Sequence, residues 1–137
     1  MAEVFDAPVD PCDPGWSLAE VLDFDAADFA EMSAVDASRF IAAADQLQAM
    51  VQAQKLRAMQ RYRTAAADDE WAQDELAMRR NVSLSRSGQD LALAEALCER
   101  LPRTLAALSA GVLDESKARR LAHIAGRGFP LSGLRTS

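Results

Sequence analysis

The sequence predicts an all-α protein: a helical bundle with one long helix and a helix-turn-helix-like hairpin. Three observations predict it. Half of the 137 residues are apolar, and alanine, the best helix former, supplies much of that half. Apolar residues recur at spacings of three and four over long stretches, the period of a helix face. Six glycines and five prolines fall mostly near the ends, so the centre of the chain holds few helix breakers. A chain of this length builds one modest domain and needs neither disulfide nor metal to close its core.

Residues 1–16 carry Pro8, Pro11 and Pro14 among Asp and Gly. Proline removes backbone donors and clustered acids favour solvation, so this stretch reads as a flexible acidic tail. Residues 17–125 form the helical domain. Ser17 caps its first, short helix, Glu20 three residues on completes a capping box, and Leu18, Val21 and Leu22 form the apolar stripe. Asp23, Asp25 and Asp28 lack the glycine and terminal glutamate of a calcium loop and read as helix-start and surface residues. A long helix follows from about Asp36 to the alanines before Asp68, about 45 Å for thirty residues. Its expected seam is Phe40, Ala44, Leu47, Val51, Ala58 and Tyr62, widened by Ile41, Met50, Leu56 and Met59.

Residues 74–101, DELAMRRNVSLSRSGQDLALAEALCERL, read as helix, turn and helix. Asp74 and Glu75 favour a helix start, and Leu76, Ala77 and Arg80 turn a small face to a partner. Asn81 tolerates the left-handed backbone of a tight turn, and Val82 plugs it. Ser85, or alternatively Ser83, caps the second helix, whose buried face is Leu91, Ala94 and Leu97. In a helix-turn-helix the second helix offers its first residues to the major groove. Here those are Arg86, Ser87, Gln89 and Asp90. Arg and Gln suit bidentate contacts with guanine and adenine, whereas Asp90 repels phosphate, so Asp90→Arg is expected to strengthen DNA binding if this helix enters the groove. Gly88 weakens the helix by about 1 kcal/mol relative to alanine.

Pro102 breaks the pattern, a short helix is expected over residues 103–110 with Gly111 as its stop, and Asp114 caps a last helix to about Ala125. The apolar face of that helix is Ala118, Leu121, Ala122 and Ala125. Residues 126–137, GRGFPLSGLRTS, read as a disordered C-terminal end.

Charge narrows the partners. The net charge of -6 is the sum of about -10 over residues 1–54, balance over 55–100, and about +4 over 101–137. Duplex DNA is therefore expected to bind only locally, weakly and with strong salt dependence. The segment KLRAMQRYR sets Lys55, Arg57, Arg61 and Arg63 beside Tyr62. Such a run suits the negative end of a helix dipole, and also phosphate. The candidate DNA contacts are Arg57, Arg61, Arg79, Arg80, Arg86 and Gln89.

No catalytic, cofactor-binding or metal-ligating residues are expected. The single histidine, His123, stands in an alanine-rich helix, and no Gly-rich phosphate loop, HExxH or GxSxG occurs. Ser116 beside Lys117 lacks the spacing of a nucleophile pair, and Asp68, Asp69 and Glu70 read as a helix start. Cys12 and Cys98 have no metal spacing; with no secretory signal and no apolar window near the roughly 18 residues of a membrane span, the chain is expected to be reduced, cytoplasmic and free of membranes.

The stretch DELAMRRNVSLSRSGQDLALAEALCERLPRTLAALSAGVLDESKARRLAHIA resembles the domain of unknown function 222, or 13E12-repeat family. This helical domain is common in actinobacterial proteins, where it usually precedes an HNH endonuclease. The phrase LPRTLAALSAG followed by ESKARRLA is the most specific part, and AADQLQAMVQAQKLRAM resembles the family's preceding long helix; the likeness covers about residues 33–125. It departs at Gly88, Gln89 and Asp90, where members usually carry alanines and arginines. An HNH centre needs a histidine base and further metal ligands, which one histidine cannot supply. The resemblance thus implies a non-catalytic module, a truncated member lacking the nuclease. Two other classes fit the residues: a protein-interaction or oligomerisation bundle that self-associates through exposed helix faces, and an inactive remnant.

Overall fold

Helix ends leave backbone N–H groups free, and at Ser17, Asp25, Ser33, Ser83 and Asp114 a side chain takes up the N–H three residues on. The computed structural model describes residues 15–126; the stretches expected as tails at 1–14 and 127–137 lie outside the described residues. Helix α1 (Leu18–Leu22) begins at a capping box: Ser17 Oγ accepts from the Glu20 N–H at 3.2 Å, and the Ser17 N–H donates to Glu20 Oε1 at 2.7 Å. Helix α2 (Ala26–Ala30) repeats the device with Asp25 and Asp28, at 2.9 Å in both directions. The Asp28 N–H holds the Asp25 carboxyl below its ordinary range. Helix α3 (Ala34–Ala65) starts two residues earlier than expected, because Ser33 Oγ accepts from the Asp36 N–H at 3.1 Å.

Helix α4 (Ala72–Arg80) and helix α5 (Leu84–Glu95) form the expected hairpin. Asn81 takes φ 57° and ψ 45°, its N–H donates to the Met78 carbonyl, and the Val82 N–H donates to the Ala77 carbonyl. That is the paired-bond stop of a helix ending in a left-handed residue. The cap of α5 is Ser83, not Ser85: Ser83 is extended and its Oγ accepts from the Arg86 N–H at 3.0 Å, whereas Ser85 already lies inside the first turn.

The sequence did not announce the next feature. α5 continues into one wide π turn, Ala96–Arg100, in which the Leu101 N–H reaches the Ala96 carbonyl at 3.0 Å. Pro102 causes it. A residue before proline avoids the α region, so Leu101 sits at φ -130°, ψ 57°, and Pro102 takes the first position of helix α6 (Pro102–Ser109), where its missing N–H costs nothing. Gly111, at φ 81°, ends α6 with the same paired bonds as Asn81. Asp114 Oδ1 accepts from the Lys117 N–H at 2.8 Å and starts helix α7 (Glu115–Gly126). Among the described residues all regular structure is helical, so the chain is an all-α bundle with one long helix.

The core lies between the C-terminal half of α3 and the group α5, π turn, α6 and α7. Leu56, Leu97 and Leu108 are fully buried there, with Ala53, Ala94 and Ala118 at the contacts. Alanine at a crossing lets two helices approach closely, which is why an alanine-rich chain can build this bundle. A second cluster pins α1 and α2 to the N-terminal end of α3: the rings of Trp16, Phe24, Phe29 and Phe40 meet with centroids 4.9 to 5.7 Å apart. Trp16, expected in the tail, therefore packs against the folded body.

The seam of α3 differs from the expected one. Ala43, Leu47, Ala49, Ala53, Leu56 and Met59 are buried, while Ile41, Val51 and Ala58 are exposed. A helix of 32 residues, about 48 Å long, outreaches any single partner. Its first half packs on α1 and the aromatic cluster and its second half on α5 and α6, so the buried stripe winds around it. On α7, Ala118 and Ala122 are buried as expected, but Leu121 faces out.

Two glycines make opposite predictions. A Cβ at Gly111 would lie 3.3 Å from Gln46 Cβ in a backbone that L residues avoid, whereas a Cβ at the helical Gly88 meets nothing within 4 Å. Gly111→Ala is expected to lower stability by about 1–3 kcal/mol and Gly88→Ala to raise it by about 1 kcal/mol, both read from urea unfolding curves.

Candidate nucleic-acid interface

The hairpin is anchored by a carboxylate that the sequence placed on the outside. Asp90 is 2% exposed and Ser87 is fully buried. Asp90 Oδ2 accepts from Arg80 Nη2 of α4 at 2.8 Å and from Arg86 Nε, one turn earlier in α5, at 3.3 Å. Its Oδ1 accepts from Arg119 Nη2 of α7 at 3.0 Å, and the same Nη2 meets Glu115 Oε2 at 2.5 Å. One carboxylate thus ties α4, α5 and α7. Burial by itself pushes the Asp90 carboxyl up, but the hydrogen bonds and charges of Arg80 and Arg119 outweigh it and hold the group below the ordinary 3.8. Arg119 behaves in mirror image: burial favours its neutral form, and Glu115 and Asp90 more than reverse that.

The expectation that Ser87 and Asp90 face a DNA groove is corrected accordingly. A signal for this was present: four residues back from Leu91 and Ala94 on a helix stand Ser87 and Asp90, on the same inward row. The expected gain from Asp90→Arg falls with it, since that change sets a fourth guanidinium among three. Sequence reasoning also missed Arg119, whose only local mark is a glutamate four residues upstream.

The six candidate contacts divide into three groups. Arg80 is committed inward to Asp90, with its side chain 16% exposed. Arg79, Arg86 and Gln89 stand at the surface of the hairpin, Arg86 while keeping its bond to Asp90. Beside them, the exposed residues of the first two turns of α5 are Leu84 and Ser85, so no carboxylate faces out there. Arg57 and Arg61 lie one turn apart on α3, both exposed, and Arg57 is turned toward α6, donating to Ser109 Oγ at 3.3 Å and to Gln54 Oε1 at 2.8 Å. Of the other cations in that run, Arg63 pairs with Glu95 at 2.9 Å.

A different surface lies between α1, the middle of α3 and the start of α7: a groove of about 880 Å³ lined by Leu18, Leu22, Leu47 and Val51. Elsewhere the chemistry is quiet. Burial pushes the Cys98 thiol above its ordinary 9.0, against a partial opposing pull from Arg57, so the thiol stays protonated at neutral pH. Among the described residues no group of three or more His, Cys, Asp or Glu side chains is placed to hold a metal, and no helix is long and apolar enough to cross a membrane. No family model, curated protein or solved structure matches the chain.

Because Asp90 is stabilised as an anion, its contribution is complete above the ordinary carboxyl value and is lost as pH falls through its depressed folded value. Wild-type stability is therefore expected to drop as pH falls below 3.8. Asp90→Asn should lack that component and lose about 3 kcal/mol at pH 7, the lower end for a broken buried pair because Arg86 and Arg119 are partly solvated. Urea midpoints of both proteins across pH check this; an unchanged midpoint at pH 7 would remove Asp90 as the anchor.

Proposed function

We propose that the chain is a non-catalytic helical module of the 13E12-repeat, HNH-endonuclease-associated family, and that it contacts duplex DNA through the first two turns of α5. The observation that carries this reading is the inward turn of Asp90. It neutralises the one acid of that segment and leaves Ser85, Arg86 and Gln89 exposed at a helix N-terminus, with Arg79 beside them at the end of α4. Positive dipole, guanidinium and amide are the groups that phosphate and purine edges accept. Held by the Asp90 ion pairs, α5 keeps a fixed angle to α4, as a groove-reading helix requires. The charge of the whole chain opposes approach to DNA, so the contact is weak and governed by few phosphates.

Titration of a labelled duplex by fluorescence anisotropy at two salt concentrations tests the reading. With Arg79 and Arg86 as phosphate contacts, the logarithmic salt slope is about -2, and binding weakens about tenfold between about 50 and 200 mM salt. Gln89→Glu, which puts a carboxylate on the exposed face without touching the core, should weaken binding by about tenfold or more. Absence of binding at low salt sinks the DNA reading. Loss of binding in Arg57→Ala with Gln89→Glu unaffected moves the contact to the Arg57 and Arg61 row of α3.

A second reading, a self-associating bundle, is favoured by a separate observation, the apolar groove between α1, α3 and α7, open among the described residues.

A further inference from the structure

We infer that a second copy of this chain covers the groove, and that the part it inserts is the outer ridge of α7. The inference rests on the self-association reading and names the two surfaces. The groove floor is apolar, built from Leu18, Val21 and Leu22 of α1 and Leu47 and Val51 of α3. Leu22, 75% exposed, stands open to solvent. At about 880 Å³ the groove has the capacity of a cleft that receives side chains. On its rim stand the exposed acids Asp45 and Asp114 beside Lys55, while the Glu115 carboxylate is already paired with Arg119.

The complement is on the same molecule. α7 turns Ala118 and Ala122 inward and leaves Leu121 and Ile124 outside, 43% and 39% exposed. Lys117, Leu121 and Ile124 follow one another at i, i+4 and i+7, and Arg120 borders them. All four are exposed, so α7 presents an apolar ridge with basic shoulders. An apolar ridge of this spacing is what a helix lays into a groove, and its basic shoulders match the acidic rim. The same rim disfavours nucleic acid as the occupant.

Placement makes the contact reciprocal. Glu115 and Ser116, in the first turn of α7, form one wall of the groove, and the ridge begins at the next residue. In the inferred dimer two α7 helices lie antiparallel across a twofold axis, with each ridge seated in the other copy's groove. Such an interface uses the same patch on both molecules and closes at a dimer. Lys117 and Arg120 of one copy then face Asp45 and Asp114 of the other.

Sedimentation equilibrium of the full chain over a wide concentration range tests the inference. The wild type is expected to dimerise reversibly. Leu22→Glu should weaken the dimer by about tenfold or more, and so should the double change Lys117→Glu with Arg120→Glu. Adding Asp45→Lys to that double change should restore part of the loss, a rescue that a merely structural effect does not produce. All of these residues are exposed, and unchanged helical circular dichroism checks that each variant folds. A wild type that stays monomeric throughout overturns the self-association reading together with this inference. A dimer that ignores both Leu22→Glu and the charge reversal overturns the named surfaces while leaving self-association standing.

Discussion

A single carboxylate, enclosed and faced by three guanidiniums, sets how the helices of this chain meet. Asp90 receives Arg80 from α4 across the interhelical turn, Arg86 from its own helix, and Arg119 from α7, 29 residues further along. A buried ion pair adds little net stability compared with apolar packing, because both charges leave water. Its consequence here is registry. An arrangement that slid α7 by one turn would take Arg119 from Asp90 Oδ1, the buried carboxylate oxygen that Arg80 and Arg86 do not meet. The inner face of α5 is thereby fixed, and the outer face follows: Leu84, Ser85, Arg86 and Gln89 remain exposed near its start, and the one carboxylate of that segment is turned inward.

The long helix α3 plays the complementary part. It is a spine with two different sets of partners, the aromatic cluster and α1 at one end, α5 and α6 at the other. Since α1 has only five residues, it covers a small part of the flank of α3. Small side chains along that flank, such as Ala44 and Ala49, leave space that longer ones would fill, and the groove is the result. Two surfaces of opposite character thus come from one bundle, a hairpin end bearing Arg79 and Arg86 and an apolar cleft bordered by Asp45 and Asp114.

Much of the architecture was readable from residues a few positions apart. Ser17 with Glu20, Asp114, Asn81 and the stop at Gly111 all stand where local reasoning put them. The misreadings have physical causes. Ser83 and Ser85 are both plausible caps by composition, and only the extended backbone at Ser83 separates them. The expected seam misplaced Ile41, Val51 and Ala58, which are exposed because α3 meets different partners along its two halves. Asp90 was read by its charge instead of its position, although Leu91 and Ala94 already marked its row as inward. The π turn before Pro102 needed the chain geometry of both flanking helices.

Most helix boundaries were legible in the chain to within a residue or two, because a cap, a left-handed turn residue or a proline acts through hydrogen bonds spanning three to five residues. The sequence also determined the all-helical class, through composition and period. Which faces are covered came from the packing of the helices. That Asp90 is buried, that Arg119 reaches it, and that Leu22, Leu121 and Ile124 stay open depend on how helices far apart in the chain approach one another. That approach is the summed outcome of many contacts, with no mark in any single stretch.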